Sequence, residues 1–177
     1  DPFCGSGTIP IEAALIAKNR APGLDRRFAA QRWKNMDSRL WMDAADEAQD
    51  KEFHGTYDIW GGDINPAAVE LAGHNAALAG VEDCVRFEVA DAATFHRSSE
   101  YGQLVTNPPY GERLLEKSEA EEVYRRFGAA VRTLPPKWRV LVLSSHTEFE
   151  RCFGRPADKK RKLYNGMLKC DLFQYGK

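Results

Sequence analysis

Asp1-Pro2-Phe3-Cys4-Gly5-Ser6-Gly7-Thr8 is the stretch that decides the fold class of this chain. A glycine turn followed at once by Ile11, Leu15 and Ile16 near helical spacing predicts a strand end, a tight turn and a helix. In such a turn, backbone N–H groups and the positive end of the helix face a ligand. Because Pro10 stands where a dinucleotide-binding turn has its third glycine, the turn alone does not identify that ligand.

Outside this turn, strand-like and helix-like segments alternate, which predicts an α/β fold with a mainly parallel sheet. We expect helices over residues 9–19 and after Asn65, and another that begins at a Ser118/Glu121 capping box. Residues 25–54 are expected to form an inserted pair of helices. Strands are expected over residues 57–64, 84–90, 103–106 and 139–144, and the dipeptide Asn165-Gly166 predicts a hairpin over the basic tail, about residues 159–175.

The composition is that of one globular domain, which we assign to residues 1–177. Hydrophobic residues make up 43% of the chain, which excludes disorder, and no apolar run is long enough for a membrane span. The net charge of −1 excludes a uniformly basic nucleic-acid coat but not a local basic patch. Because no export signal is evident, we expect a cytoplasmic protein. The chain opens at Asp1 without an initiator Met, so we expect a fragment whose first strand is mostly missing.

Neither the four cysteines nor the four histidines show the short, paired spacing of a metal site. We therefore expect reduced thiols, structural or solvated histidines, and no metal. Cys4 lies inside the glycine turn, where we expect a small packed residue rather than a nucleophile.

Carboxylates follow two further strands at the points where those strands end. Asp63, in Gly62-Asp63-Ile64-Asn65, can accept hydrogen bonds from both hydroxyls of a ribose, because Asn65 is available to cap the next helix. Asp91, in Ala90-Asp91-Ala92, can accept a hydrogen bond from an adenine amine, although a single Asp there is more often a loop or capping residue. Together with Asp1, these acids predict a ligand site at the carboxyl edge of one sheet.

The most specific motif is Asn107-Pro108-Pro109-Tyr110, directly after a short strand. Two prolines lock a bend and remove two backbone donors, so the Asn107 side-chain oxygen and the Pro108 carbonyl can face a pocket as acceptors. This arrangement suits a planar nitrogen that donates two N–H bonds, with Tyr110 as a flat stacking face. Acceptors placed in advance also stabilise the positive charge that develops on such a nitrogen when it attacks.

The segment from Arg151 to Lys169 holds seven Lys and Arg residues against one acid, Asp158. A run of this kind is either a solvated face or a surface that contacts RNA phosphates. The candidates for RNA contact are Lys159, Lys160, Arg161 and Lys162.

In order and spacing, the glycine turn, Asp63, Asp91 and Asn107-Pro108-Pro109-Tyr110 resemble class I S-adenosylmethionine-dependent methyltransferases that modify exocyclic or amide nitrogens. More narrowly, the chain resembles the bacterial large-subunit (23S) ribosomal RNA guanine-N2-methyltransferase family, whose members are often named N6-adenine-specific DNA methylases. The narrower resemblance rests on Ala21-Pro22-Gly23-Leu24 with Phe28-Ala29 and Trp33, on Leu40-Trp41, and on Lys159-Lys160-Arg161-Lys162-Leu163-Tyr164-Asn165-Gly166.

The resemblance implies a doubly wound, Rossmann-like sheet of seven strands, mostly parallel, whose last two strands form the antiparallel tail hairpin. It implies S-adenosylmethionine as cofactor and Asn107, Pro108, Pro109 and Tyr110 as the catalytic residues. It also implies an RNA-binding THUMP domain upstream, large-subunit ribosomal RNA as partner, and no membrane or metal. The implied cofactor-binding residues are Asp1, Phe3, Gly5, Gly7, Asp63, Ile64, Asp91, Ala92 and Asn107.

The catalytic motif specifies a reaction type and not a substrate, so several alternatives stay open. Enzymes with the same motif include adenine-N6 DNA methyltransferases, tRNA guanine-N2 methyltransferases and glutamine-amide methylases. A non-catalytic RNA-binding module with a structural cofactor pocket is the alternative from another class.

Overall fold

The computed structural model describes residues 1–111 and 114–176, without the side chains of residues 114–116. Five α-helices and six β-strands follow one another along the described chain. The helices are α1 (Thr8–Lys18), α2 (Ser38–Asp50), α3 (Pro66–Leu78), α4 (Leu114–Val131) and α5 (Phe149–Phe153). The strands are β1 (Ile59–Asp63), β2 (Val85–Val89), β3 (Tyr101–Thr106), β4 (Lys137–Ser144), β5 (Lys159–Asn165) and β6 (Leu168–Tyr175).

The strands form two hydrogen-bonded groups. β1 pairs with β2 in parallel, and the second group has the order β3-β4-β6-β5. β3 and β4 are parallel, whereas β6 is antiparallel to both β4 and β5. The mixed α/β fold and the antiparallel tail hairpin expected from the sequence are therefore confirmed.

The resemblance implies seven strands, of which the first is expected to be mostly missing, and the described residues contain six. Asp1–Cys4 lies where the additional strand was expected. Its backbone bonds to β1, since the Gly62 N–H donates to the Asp1 carbonyl at 2.8 Å and the Cys4 N–H donates to the Gly62 carbonyl at 2.8 Å. On its other side only a side-chain bond, from Thr106 of β3, reaches this segment. Four hydrogen bonds, including one from the Asp1 amino group to the Trp60 carbonyl at 2.9 Å, hold the segment between the two groups without making it a paired strand.

Two apolar clusters position the sheet edges. The larger one packs α4 and α5 against β3, β4 and β6, and its aromatic members stack in series, as for Phe149 and Phe173 at 4.6 Å between ring centroids. The smaller one packs α1 and α3 against β2 around Ile11, Ala14 and Val81. Since burial of each apolar side chain contributes about 1.5–3 kcal/mol, these clusters hold the strand ends rigidly in place.

The insertion differs from the expected pair of helices: it contains one α-helix, α2, preceded by a single 3-10 turn over Ala29–Arg32. Neither element has a buried residue, and the insertion is organised by the stacked rings of Phe28 and Trp41. Arg20 ties it to the domain, because its guanidinium bonds Asp25, Glu52 and the carbonyl of Ala79 at the end of α3.

The start of α4 also differs from the expectation. The capping box expected at Ser118 and Glu121 is wrong, because α4 begins at Leu114 and both residues lie inside it. The buried face of α4 contains Ala120, Tyr124 and Phe127. Tyr124 is buried, whereas its neighbour Val123 is only half-buried.

Candidate active site

The glycine turn places the start of α1 beside β1. Gly7 has φ +84°, and a Cβ added there would meet Ala72 at 2.9 Å, so this glycine is required for α1 to approach α3. Gly5 has φ +52° and opens onto free space, with nothing within 4 Å of an added Cβ. Helix α1 has no side-chain cap and no acid in its first turn. The positive end of the helix and an open turn therefore lie together.

Asp63, at the end of β1, is bound to this turn. One carboxylate oxygen accepts the Gly5 N–H at 3.0 Å and the other accepts the Asn65 N–H at 2.9 Å. The sequence interpretation left Asp63 free; its orientation is in fact set by two backbone donors. Asn65 caps α3, as expected, by accepting the Ala67 N–H. Since a carboxylate has about four lone-pair sites, Asp63 keeps acceptor capacity toward a ligand.

Asp1 joins the turn to the strand that precedes the proline motif. Its carboxylate accepts the Phe3 N–H at 3.0 Å and the hydroxyl of Thr106 at 2.5 Å. Thr106 is 1% exposed and immediately precedes Asn107. This side-chain bond fixes the first carboxylate relative to the proline motif.

Asp91 caps the 3-10 turn over Ala92–Thr94 and also contacts α4. One of its oxygens accepts the Ala93 N–H at 2.9 Å, and the other accepts from the Arg126 guanidinium at 2.7 Å. The capping alternative weighed for Asp91 is thus realised, and Arg126 adds a partner that the sequence analysis did not foresee. An adenine amine at this carboxylate must share it with Arg126 or displace it.

The remaining residues expected at the cofactor differ in exposure. Ile64 is exposed, whereas Ala92, the first residue of the 3-10 turn after β2, is buried. Phe3 directs its ring into the core, where it meets Phe127 edge-on at 5.1 Å. Only the backbone of Phe3 therefore lines the turn.

The proline motif is bound by two tyrosine hydroxyls. The first, that of Tyr110, donates to the Asn107 side-chain oxygen. Burial raises the pKa of Tyr110 to about 12, so this hydroxyl stays a donor at neutral pH. The amine acceptor expected at Asn107 is consequently engaged by the motif's own tyrosine. An amide oxygen has two lone pairs, so Asn107 can accept a second hydrogen bond.

Pro109 is exposed, but its carbonyl accepts the hydroxyl of the buried Tyr124 at 2.5 Å. Pro108 is itself buried, and among the described residues no hydrogen bond reaches its carbonyl. The Pro109 carbonyl is therefore occupied by Tyr124, and the two acceptors that the sequence predicts for a ligand, the Asn107 side-chain oxygen and the Pro108 carbonyl, are not bound to it.

The tip of the tail hairpin contacts the motif. Asn165 donates to the Tyr110 hydroxyl at 3.3 Å, and the Cys170 thiol lies 3.7 Å from the same oxygen. Asn165 and Cys170 share one face of the hairpin with Lys159 and Arg161, because opposite and alternate residues of paired strands point the same way. The hairpin therefore carries basic side chains on the same face that touches Tyr110.

The four basic residues of the hairpin are all exposed but are not equivalent. Lys160 forms an ion pair with Glu150 at 2.7 Å and lies on the face opposite Lys159 and Arg161. Over residues 1–111 and 114–176, no ion pair involves Lys159, Arg161 or Lys162. Strand alternation predicts that neighbouring side chains point to opposite faces, so that two of the four reach one phosphate track. The structure places Lys159 and Arg161 on one face and Lys160 and Lys162 on the other.

Cys4 is buried, and this burial, with the Asp63 carboxylate as the next cause, raises the pKa of its thiol to about 11. The described part of the chain has no group of three His, Cys, Asp or Glu side chains arranged for a metal ion. Its helices include none that is both long and apolar enough to cross a bilayer. A cavity of about 620 Å³ lies elsewhere, between α4 and β4, and includes none of the predicted site residues.

Sequence analysis missed the residues that connect the motifs: Thr106, Tyr124, Arg126, Asn165 and Cys170. Thr106 is adjacent to the motif, and its polar side chain before Asn107 is the one local signal that could have found it. The partner of Tyr124 lies 15 residues away in the chain, and that of Arg126 lies 35 away. Helical periodicity marks such residues as buried or exposed but does not indicate what they bind.

Comparison with known proteins gives consistent matches over the whole chain. The family model UPF0020, described as an RMKL-like methyltransferase domain, matches residues 1–174. YpsC of Bacillus subtilis (strain 168), which bears the name of an RNA methyltransferase, is 44% identical over 176 residues, which are 99% of this chain and 46% of YpsC. The ribosomal RNA large subunit methyltransferase K/L of Shewanella baltica (strain OS185) is 42% identical over 96% of this chain and 25% of its own length.

Among solved structures, SMU.472, described as a methyltransferase complexed with SAH, superposes with a TM-score of 0.94 at 43% identity. The match includes all of this chain and 47% of the SMU.472 chain. The chain thus spans less than half the length of these relatives.

Proposed function

Because the chain belongs to the RMKL-like methyltransferase domain family, we propose that it transfers a methyl group from S-adenosylmethionine to the exocyclic N2 amine of a guanine in large-subunit ribosomal RNA. The observation that carries the proposal is the proline motif. Its Pro109 carbonyl is turned toward Tyr124, which leaves the Asn107 oxygen and the Pro108 carbonyl as the two acceptors for an amine.

The cofactor half of the site fits S-adenosylmethionine by its donor set. Asp63 suits the ribose hydroxyls, Asp91 the adenine amine, and the turn from Asp1 to Gly7 the methionine part. The open space above Gly5 and the uncapped start of α1 allow a ligand to approach the backbone. The complex of SMU.472 with SAH supports the same cofactor here. When bound, this cofactor supplies an electrophilic methyl group on a sulfonium.

The chain's own residues prepare the amine for attack. The oxygens of Asn107 and Pro108 accept its two N–H bonds, which favours a pyramidal nitrogen and frees the lone pair. The same oxygens stabilise the positive charge that the nitrogen gains, and the extra proton leaves after transfer. Since a base in a helix must be swung out to present its amine, Tyr110 serves as the stacking platform. Alignment of the reactants then provides most of the acceleration.

The choice of RNA rests on the hairpin and on the names of the relatives. The face that bears Lys159 and Arg161 also contacts Tyr110 through Asn165, so phosphates bound there lie beside the target site. YpsC and the methyltransferase K/L are both named for RNA methylation. We further propose that residues 1–177 form one methyltransferase domain, with the insertion at about 25–54, within a longer cytoplasmic protein that includes a THUMP-type RNA-binding domain.

The test is methyl transfer from tritiated S-adenosylmethionine by the full-length protein. Protein-free large-subunit rRNA, ribosomal subunits, tRNA, DNA and a release factor are offered in parallel, and labelled RNA is digested to nucleosides. Label in N2-methylguanosine from rRNA or subunits is the expected result. Label mainly in DNA adenine, in tRNA or in glutamine would overturn the substrate assignment, and cofactor binding without transfer to any substrate would favour a non-catalytic module.

A further inference from the structure

We infer that Tyr124 is a positioning residue for methyl transfer: its hydroxyl holds the Pro109 carbonyl and thereby aims the Asn107 and Pro108 acceptors at the target amine. Tyr124 belongs to α4, is 0% exposed, and was not among the residues that the sequence marks. The inference rests on the proposed function for its kinetic readout, but its structural basis is independent of the substrate.

The hydrogen bond from Tyr124 to Pro109 is the last of three hydrogen bonds that run in one direction, from His146 through Ser144 and Tyr124 to Pro109. The His146 N–H donates to the Ser144 hydroxyl oxygen at 3.1 Å, and the Ser144 and Tyr124 hydroxyl oxygens are 3.4 Å apart. A tyrosine hydroxyl has one proton, which Tyr124 gives to the Pro109 carbonyl at 2.5 Å. Ser144 must therefore be the donor to Tyr124. Each donor in the chain polarises the next, which strengthens the last bond.

The surroundings of Tyr124 leave it one orientation. Its ring meets Phe149 at 4.9 Å and His146 at 5.5 Å, both edge-on. Burial raises the pKa of its hydroxyl, so the group keeps its proton at neutral pH. A rigid, protonated donor is suited to hold a carbonyl in place.

The consequence for catalysis follows from the two prolines. Pro108 and Pro109 have no N–H, so no backbone donor anchors this part of the loop, and proline fixes only φ. The hydrogen bond from Tyr124 fixes the peptide plane that follows Pro109. If that plane rotates, Tyr110 moves with it and the hydrogen bond from its hydroxyl to the Asn107 side-chain oxygen is lost, so the acceptors of the motif are no longer held toward the amine.

Tyr175 provides a matched control. It belongs to the same apolar cluster, is 2% exposed, and its hydroxyl donates to a backbone carbonyl, that of Arg155, at 3.4 Å. Arg155 is not part of the predicted site. Tyr124→Phe and Tyr175→Phe therefore each delete one buried hydroxyl from the same core, and only Tyr124→Phe alters the proline motif.

The experiment measures kcat and KM for rRNA, cofactor affinity and thermal stability in the full-length protein and in both variants. We expect Tyr124→Phe to lower kcat about tenfold or more while KM and cofactor affinity stay within about twofold. Ser144→Ala should lower kcat in the same direction by a smaller factor, because it weakens the chain without removing its last bond. Tyr175→Phe should leave kcat within about twofold of wild type, with a similar loss of thermal stability.

Equal kcat values for Tyr124→Phe and Tyr175→Phe would overturn the inference and leave Tyr124 a packing residue. Amide hydrogen exchange at Tyr110 and Gly111 supplies a readout that needs no substrate: exchange should be faster in Tyr124→Phe than in Tyr175→Phe. If the wild type methylates no RNA, the proposed function falls, and the exchange comparison still decides the positioning role. If Tyr124→Phe does not fold, the kcat and exchange of Ser144→Ala decide it, and wild-type values would overturn it.

Discussion

The cofactor half and the amine half of the site are built differently. In the cofactor half, each of the three carboxylates accepts at least one backbone N–H, as when Asp63 accepts from Gly5 and Asn65. In the amine half, two tyrosine hydroxyls hold the carbonyl groups: Tyr110, within the motif, binds the Asn107 oxygen, and Tyr124, from α4, binds the Pro109 carbonyl. A backbone donor is placed by the turn to which it belongs. A side-chain donor such as Tyr124 is placed by the packing of α4, β4 and the hairpin. Substitutions in the two halves should therefore separate binding from turnover.

The largest effect is expected from Asn107→Ala, in the amine half. This variant should lose on the order of a hundredfold or more in kcat, since one preorganised acceptor for the developing charge is gone. Cofactor affinity, measured by calorimetry, should stay close to that of the wild type. Retention of more than about half of the wild-type turnover at saturating substrate would show that Asn107 does not hold the amine.

Asp63→Ala tests the cofactor half. Loss of a charged hydrogen bond costs roughly 1.5–3 kcal/mol, so cofactor affinity should fall at least tenfold. Glu88→Ala, at an exposed position of the neighbouring strand, is the control for removing a carboxylate. Circular dichroism checks that both variants fold. Unchanged affinity in folded Asp63→Ala would remove Asp63 from the ribose site.

A smaller effect is expected at the hairpin. The variant in which Gln replaces Lys159, Lys160, Arg161 and Lys162 should bind RNA with a weaker salt dependence. The slope of log K against log salt concentration should become shallower by about 1.5, which corresponds to two lost phosphate contacts. The structure sharpens this prediction, because Lys159 and Arg161 lie on the face that contacts Tyr110, whereas Lys160 is paired with Glu150. The double variant Lys159→Gln/Arg161→Gln should therefore show most of the change, and Lys160→Gln/Lys162→Gln little.

The matched control for the hairpin replaces four basic residues of the insertion, Arg26, Arg27, Arg32 and Lys34, with Gln, which changes the net charge equally. RNA binding by filter retention across a salt series provides the slopes. The patch assignment is abandoned if the folded hairpin variant keeps the wild-type slope or if the control variant changes it as much. Loss of cofactor binding in the hairpin variant would indicate a structural role for the hairpin instead.

The smallest effect is expected for Cys4, although it lies inside the glycine turn. A thiol reacts as its thiolate, and with a pKa of about 11 that form is scarce at pH 8 and increases as the pH rises toward 11. Cys4→Ala should therefore change kcat and cofactor affinity less than about twofold. Alkylation of native protein by iodoacetamide, followed by mass spectrometry, should be slow at pH 8. Rapid labelling at pH 8 with loss of transfer would assign Cys4 a direct role.

What the sequence by itself determined is local. The order of the motifs, the cap of α3 by Asn65 and the hairpin around Asn165-Gly166 all depend on residues a few positions apart, and each is present. The same reasoning failed at Ser118, where a local capping pattern lies inside a helix that begins earlier. A capping pattern competes with the packing of the whole helix, and the apolar face around Tyr124 and Phe127 outweighs it.

Only the tertiary structure decided how the motifs are held relative to one another. Thr106 reaches Asp1 across 105 residues of chain, Asn165 reaches Tyr110 across 55, and Arg126 reaches Asp91 across 35. Polar side chains such as these show no periodicity or spacing that names a partner. Their hydrogen bonds form because two apolar clusters fix the strands and α4 in register, and a bond of about 3 Å becomes available only once the packing has set both ends.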